Sequence, residues 1–90
     1  MIEQSFVIKN KLGLHARPAS ILVQKISGFK SSVKIAKEEE IVDGKSLMGV
    51  LTLAAACGET LKFIVDGEDE VEVINVLKEL IENIFYLLQG

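Results

Sequence analysis

The chain has a single histidine, His15, set in the run Gly13-Leu14-His15-Ala16-Arg17-Pro18-Ala19. A glycine-containing loop there delivers the imidazole to the opening turn of a helix. Free backbone N–H groups and the positive end of the helix dipole make such a turn an anion site. A neutral ring nitrogen carries the lone pair that a nucleophile needs. Attack on a phosphoryl donor would leave a phosphohistidine whose oxygens meet the first-turn residues Ala16, Arg17 and Pro18. Arginine suits that place, because its planar fork donates two parallel hydrogen bonds to phosphate oxygens. Taken alone, His-x-Arg-Pro also fits an ordinary exposed histidine and a solvated arginine at a helix start. The surrounding sequence decides between the two.

The elements that must position His15 follow from hydrophobic periodicity. Residues 2–9 alternate, with Ile2, Gln4, Phe6 and Ile8 on one side, which predicts a half-buried strand. Asn10 to Gly13 reads as a loop. Ala19, Leu22, Val23 and Ile26 then take helical spacing, with Pro18 in the first turn and Gly28 placed to end the helix. Residues 32–37 alternate with Val33 and Ile35 inward, and Ile41-Val42 returns as a hairpin strand after the acidic turn Glu38-Glu39-Glu40.

Asp43-Gly44 turns the chain, and Ser46 is a candidate N-cap for a short helix through Leu47, Met48, Val50, Leu51 and Ala54, stopped by Gly58. Leu47, Met48 and Leu51 cannot all face inward beside Val50 and Ala54. Residues 59–66 form a strand with Leu61, Phe63 and Val65 on one face. Glu68-Asp69-Glu70 suits the start of a final helix, whose stripe is Val73, Ile74, Val76, Leu77, Leu80, Ile81, Ile84, Leu87 and Leu88. The tail Ile84-Phe85-Tyr86-Leu87-Leu88 is apolar, and the expectation is that it packs over the sheet edge, with a dimer through the tail as the alternative.

The predicted order is β-α-β-β-α-β-α. One-sided alternation in each strand requires one covered sheet face, and three helices are available to cover it. The expected fold is therefore α+β, an open-faced β-sandwich with a four-stranded antiparallel sheet and three helices on one face. Strand order does not follow from periodicity.

Ninety residues are enough for one domain, residues 1–90, with a single core, and the hydrophobic share of 49% makes that core rich. The net charge of −3 argues against a nucleic-acid partner. The lone Cys57 cannot form an internal disulfide and reads as a small, partly buried filler. No run approaches the roughly 18 apolar residues of a membrane span, so the expectation is a cytoplasmic protein without membrane insertion.

Residues 12–19, Leu-Gly-Leu-His-Ala-Arg-Pro-Ala, resemble the active-site signature of the HPr family of the phosphoenolpyruvate-dependent sugar phosphotransferase system. Gly44-Lys45-Ser46-Leu47-Met48-Gly49-Val50 is similar to the regulatory-serine region of that family, and Gly67-Glu68-Asp69-Glu70 also matches its pattern. The resemblance implies a phosphocarrier rather than an enzyme. Enzyme I would phosphorylate His15 on Nδ1, with Arg17 assisting, and the group would pass to IIA domains of sugar permeases. It further implies no metal or organic cofactor, a monomer, and docking through Ala16, Ser20, Leu47, Met48 and Leu51. Ser46 matches the serine that an HPr kinase/phosphorylase modifies in some lineages. The competing expectation is a regulatory binding module, a nitrogen-type HPr or catabolite-repression cofactor, acting through Ser46 and the Leu47/Met48 surface. One departure is Leu12, where some family members place Ser or Asn.

Overall fold

The alternating stretches become strands because each places every second side chain against the same apolar layer. The structure, a computed structural model, describes residues 1–87. Strands β1 (Ile2–Val7), β2 (Ser32–Lys37), β3 (Glu40–Asp43) and β4 (Thr60–Asp66) form one antiparallel sheet in the order β1-β4-β2-β3. The last strand in sequence is thus central. It sets Leu61 opposite Phe6 and Phe63 opposite Ile35. Phe6, Val33, Ile35, Leu61, Phe63 and Val65 are buried, whereas Ser5, Lys34 and Lys62 between them are exposed. One face is dry and the other wet, as an open antiparallel sheet allows. The Phe6 and Phe63 rings meet edge to face, with centroids 5.7 Å apart.

Helices α1 (Ala16–Ser27), α2 (Leu47–Thr52) and α3 (Glu70–Glu79) cover the dry face. Leu22, Ile26, Val50, Val73 and Leu77 join the inward strand residues in one hydrophobic cluster. The result is the α+β open-faced sandwich that the periodicity predicts.

Several local expectations are corrected. Gln4 lies opposite Phe63 and yet is exposed. It sits on an outer strand, where a long amide side chain reaches water at the sheet margin. Helix α2 ends at Thr52, before Ala54 and well before Gly58. Its last turn tightens, with the Leu53 N–H donating to the Val50 carbonyl and the Ala54 N–H to the Leu51 carbonyl. Ala54 then turns left-handed at φ +49° and is exposed rather than buried. Cys57 is also exposed, because the 56–58 turn carries it to the surface after Ala55 has entered the core.

The final helix is not one continuous stripe. After α3 the chain makes a π turn, Leu80–Ile84, followed by the short helix α4 (Phe85–Leu87). The Phe85 N–H donates to the Leu80 carbonyl, a five-residue step. The added residue shifts the phase of everything beyond it. Phe85, absent from the predicted stripe, is fully buried, while Leu87 turns outward at 80% exposure. The tail therefore packs through Phe85. Leu88 of the predicted stripe lies outside the described residues.

Asp69 also acts otherwise than its place at a helix start suggests. Its carboxylate accepts the N–H groups of Lys30 and Ser31, at 2.8 and 2.9 Å, and the Ser31 hydroxyl. This clasp ties the start of α3 to the entrance of β2. The three hydrogen bonds hold the Asp69 carboxyl at about 2, well below its ordinary value of 3.8, with the Ser31 hydroxyl the largest cause.

Candidate functional site

His15 is the N-cap residue of α1, with extended backbone (φ −83°, ψ −170°), and its carbonyl accepts the Ala19 N–H at 3.0 Å. Its imidazole makes no capping hydrogen bond, and the first turn holds no acidic residue. The N–H groups of Ala16 and Arg17 consequently have no intrahelical partner, and no carboxylate of that turn competes for the positive end of the dipole. Pro18 and Ala19 are buried and anchor the turn to the core.

The half-buried imidazole lines an open cleft of about 350 Å³, with Leu12, Ala16, Leu51, Ala54 and Ala56 around it. One wall is the start of α1, and the other is the segment that follows α2. The two walls are bonded together. The Leu14 N–H donates to the Ala55 carbonyl at 2.8 Å. Gly13 has φ +71°, and a Cβ there would overlap the Ala55 carbonyl oxygen and stand 2.9 Å from Ala56 Cα. Only glycine lets the chain pass so close.

The far wall has its own support, which sequence reasoning missed. The Lys37 ammonium donates to the Leu53 carbonyl at 2.9 Å and the Ala54 carbonyl at 3.4 Å, and pairs with Glu59 Oε1 at 3.1 Å. Glu59 Oε1 also accepts the Ala56 N–H at 2.7 Å. That backbone bond first, and Lys37 second, lower the Glu59 carboxyl from its usual range. Lys37 and Glu59 are distant in sequence and belong to no motif, so no local pattern marks them. Asn10, read only as a loop residue, is also part of the site. It is buried, and its Nδ2 donates to the Gly13 carbonyl. A polar residue three positions before a glycine was the one available signal.

Arg17 is exposed, and among the described residues its guanidinium has no hydrogen-bond or ion-pair partner. It does not line the cleft, and neither do Ser20, Leu47 and Met48. Leu47 and Met48 are exposed at 39% and 71%, while Leu51 and Ser20 are half-buried. These side chains lie on the two helices that flank the cleft. Ser46 caps α2 as the sequence predicts, its Oγ accepting the Gly49 N–H at 3.1 Å. Two further hollows, of about 300 and 170 Å³, contain none of the candidate site residues. Among the described residues no group of three or more His, Cys, Asp or Glu side chains is arranged to hold a metal ion. No helix among them is long and apolar enough to cross a membrane.

The family model described as the PTS HPr component phosphorylation site matches residues 2–83. The chain belongs to the HPr family. It is 46% identical over 85 residues to the phosphocarrier protein HPr of Neisseria meningitidis serogroup B, covering 94% of this chain and 96% of that one. A solved HPr structure from Thermoanaerobacter tengcongensis superposes with a TM-score of 0.90 at 44% identity, covering 94% and 96% of the two chains. The HPr-like protein Crh of Halalkalibacterium halodurans is 40% identical over 82 residues, covering 91% and 98%. HPr-family membership and the sandwich fold thus agree with the resemblance carried by residues 12–19 and 44–50.

Proposed function

We propose that this chain is a phosphocarrier of the phosphotransferase system that holds its phosphoryl group on His15, received from Enzyme I and surrendered to IIA domains. The observation that carries the assignment is the placement of His15. It caps α1 with its ring uncommitted, beside unpaired N–H groups and with no acidic residue in the turn. Family membership supports the phosphocarrier role in general, and the local geometry supports the residue.

In the reaction, a ring nitrogen of His15 directs its lone pair at phosphorus. The N–P bond forms as the donor's bond to phosphorus breaks, and the donor keeps that electron pair. The Ala16 and Arg17 N–H groups receive the phosphoryl oxygens, while the exposed Arg17 guanidinium supplies charge. Pro18 has no N–H and is buried, so its part is to set the first turn. Transfer onward is the same displacement with the imidazole as leaving group. Positioning and charge stabilisation suffice for such a step, and the chain acts as a carrier rather than as a catalyst, in the cytoplasm and as a monomer.

Exposed Leu47 and Met48, with Leu51, Ala16 and Ser20, offer an apolar surface on which successive partners dock beside the open cleft. Met is adapted to changing partners by its flexible thioether chain. Phosphate on Ser46 by an HPr kinase/phosphorylase would put negative charge at the α2 N-terminus, which the helix tolerates and an acidic partner does not. A second, regulatory reading has one observation in its favour, the 40% identity to an HPr-like protein Crh. It would use Ser46 and the same Leu47/Met48 surface. The retained His15 and Arg17 favour the carrier.

The test is incubation with phosphoenolpyruvate, Mg²⁺ and an Enzyme I of demonstrated activity, followed by intact mass and acid lability. The wild type should gain an acid-labile phosphoryl group and His15→Ala should not. An unmodified wild type sinks the carrier reading and leaves the regulatory one. Met48→Glu should slow phosphorylation without shifting the melting temperature, since that side chain is 71% exposed.

A further inference from the structure

Asn10 is one of only two buried polar or charged residues among those described, at 2% exposure. It stands where β1 has ended and the chain turns toward His15. Its side-chain Nδ2 donates to the Gly13 carbonyl, while its own carbonyl accepts the Gly13 N–H at 3.0 Å. The four residues 10–13 are thereby closed on themselves from both ends. Gly13, in its left-handed conformation, lies against Ala55 and Ala56, and the next residue, Leu14, is buried and bonded to the Ala55 carbonyl. His15 follows directly. Asn10 therefore holds the peptide two bonds upstream of the nucleophile, and does so from inside the protein.

An apolar residue in this place would deprive the buried Gly13 carbonyl of its side-chain donor. What an apolar residue cannot do is restrain the direction of the Gly13 carbonyl, and with it the Gly13–Leu14 peptide from which His15 is hung.

We propose that Asn10 is a positioning residue for phosphoryl transfer. By tying the Gly13 carbonyl it fixes the loop that aims the His15 imidazole into the cleft. This rests on the reading that His15 is the phosphoryl acceptor. Asn10 itself is buried and touches no reacting group. Its effect should appear in the rate of transfer and not in docking, because the surface of Ala16, Leu47 and Met48 is untouched.

The experiment uses the full chain as the protein substrate of an active Enzyme I with phosphoenolpyruvate and Mg²⁺, and separates kcat from KM. Variants are Asn10→Ala, which removes the donor, Asn10→Ser, which keeps a shorter one, and Ile35→Val, a core change on β2 that destabilises without touching the loop. Displacing a reacting group by about 1 Å costs on the order of 100-fold. Asn10→Ala is therefore expected to lower kcat about tenfold to a hundredfold with KM within twofold, and to move the His15 imidazole NMR signals. Asn10→Ser should fall between it and wild type, and Ile35→Val should leave kcat unchanged.

The proposal is overturned if Asn10→Ala keeps wild-type kcat, if only KM changes, or if Ile35→Val at equal stability loss lowers kcat as much. Should Asn10→Ala not fold, Asn10→Ser decides alone: a reduced kcat supports positioning, and a wild-type kcat refutes it. Failure of the carrier reading looks different, since the wild type itself would then accept no phosphoryl group or His15→Ala would still accept one.

Discussion

Replacing Ala54 with glycine should stabilise this protein, although it removes a side-chain carbon. Ala54 has φ +49°, a conformation that costs an L-residue roughly 1–2 kcal/mol because Cβ crowds the following carbonyl oxygen. Glycine escapes that crowding, and its freer unfolded chain costs about 0.4–1 kcal/mol in return. The Ala54 methyl is exposed, so its deletion opens no cavity. The balance is a gain of about 1 kcal/mol, which in a domain of this size corresponds to a rise of roughly 4–8 °C in Tm.

Thermal and urea unfolding followed by circular dichroism would measure it, with an unchanged urea slope showing that the unfolding reaction is the same. Gly13→Ala provides the opposite sign. There a Cβ would meet left-handed backbone, the Ala55 carbonyl oxygen, and Ala56 Cα at 2.9 Å, and overpacking alone costs about 1–3 kcal/mol. A lower Tm for Ala54→Gly would refute the reasoning, because it would mean that the left-handed turn after α2 is not strained. So would an unaffected Gly13→Ala, which would mean that the loop and the far wall are not in close contact.

Two other outcomes follow from the same structure. The Asp69 carboxyl titrates at about 2 when folded against an ordinary 3.8, so its clasp contributes fully above the unfolded value and is lost as pH falls from about 4 to about 2. Asp69→Asn should flatten the fall of stability across that window, and an unaltered acid limb in the unfolding profile would show that the carboxylate does not hold Ser31. Ser46→Ala removes the cap on the Gly49 N–H and should cost about 1 kcal/mol, whereas Ser46→Asp should retain most of it; equal Tm for all three forms would show that the cap is idle.

Much of the molecule is legible without coordinates. Period-2 alternation in residues 2–9, 32–37 and 59–66 is enough to define strands and, Gln4 apart, their dry faces, since the alternation is a property of the extended chain itself. The helical spacing of Ala19, Leu22 and Ile26, together with Pro18 and Gly28, likewise bounds α1 and places His15 at its start. Ser46 reads as a cap for the same local reason. These features depend on neighbours within a few residues, and the two motifs that resemble the HPr family lie within such stretches.

What folding alone decided depends on residues far apart in the chain. The central place of β4 follows from which apolar faces meet, as in the register of Phe63 with Ile35 and Leu61 with Phe6, and no single strand encodes it. The five-residue step from Leu80 to Phe85 brings Phe85 into the core and turns Leu87 out, a phase shift invisible to a stripe drawn at constant spacing. Asp69 bonds Ser31 across 38 positions, and Lys37 supports Leu53 and Ala54 across 16 and 17. His15, the proposed phosphoryl acceptor, is singled out by its own neighbours, whereas its cleft exists only because the 53–59 segment folds back onto the loop between β1 and α1. Local periodicity sets what each segment is, and long-range burial and hydrogen bonding set where it stands.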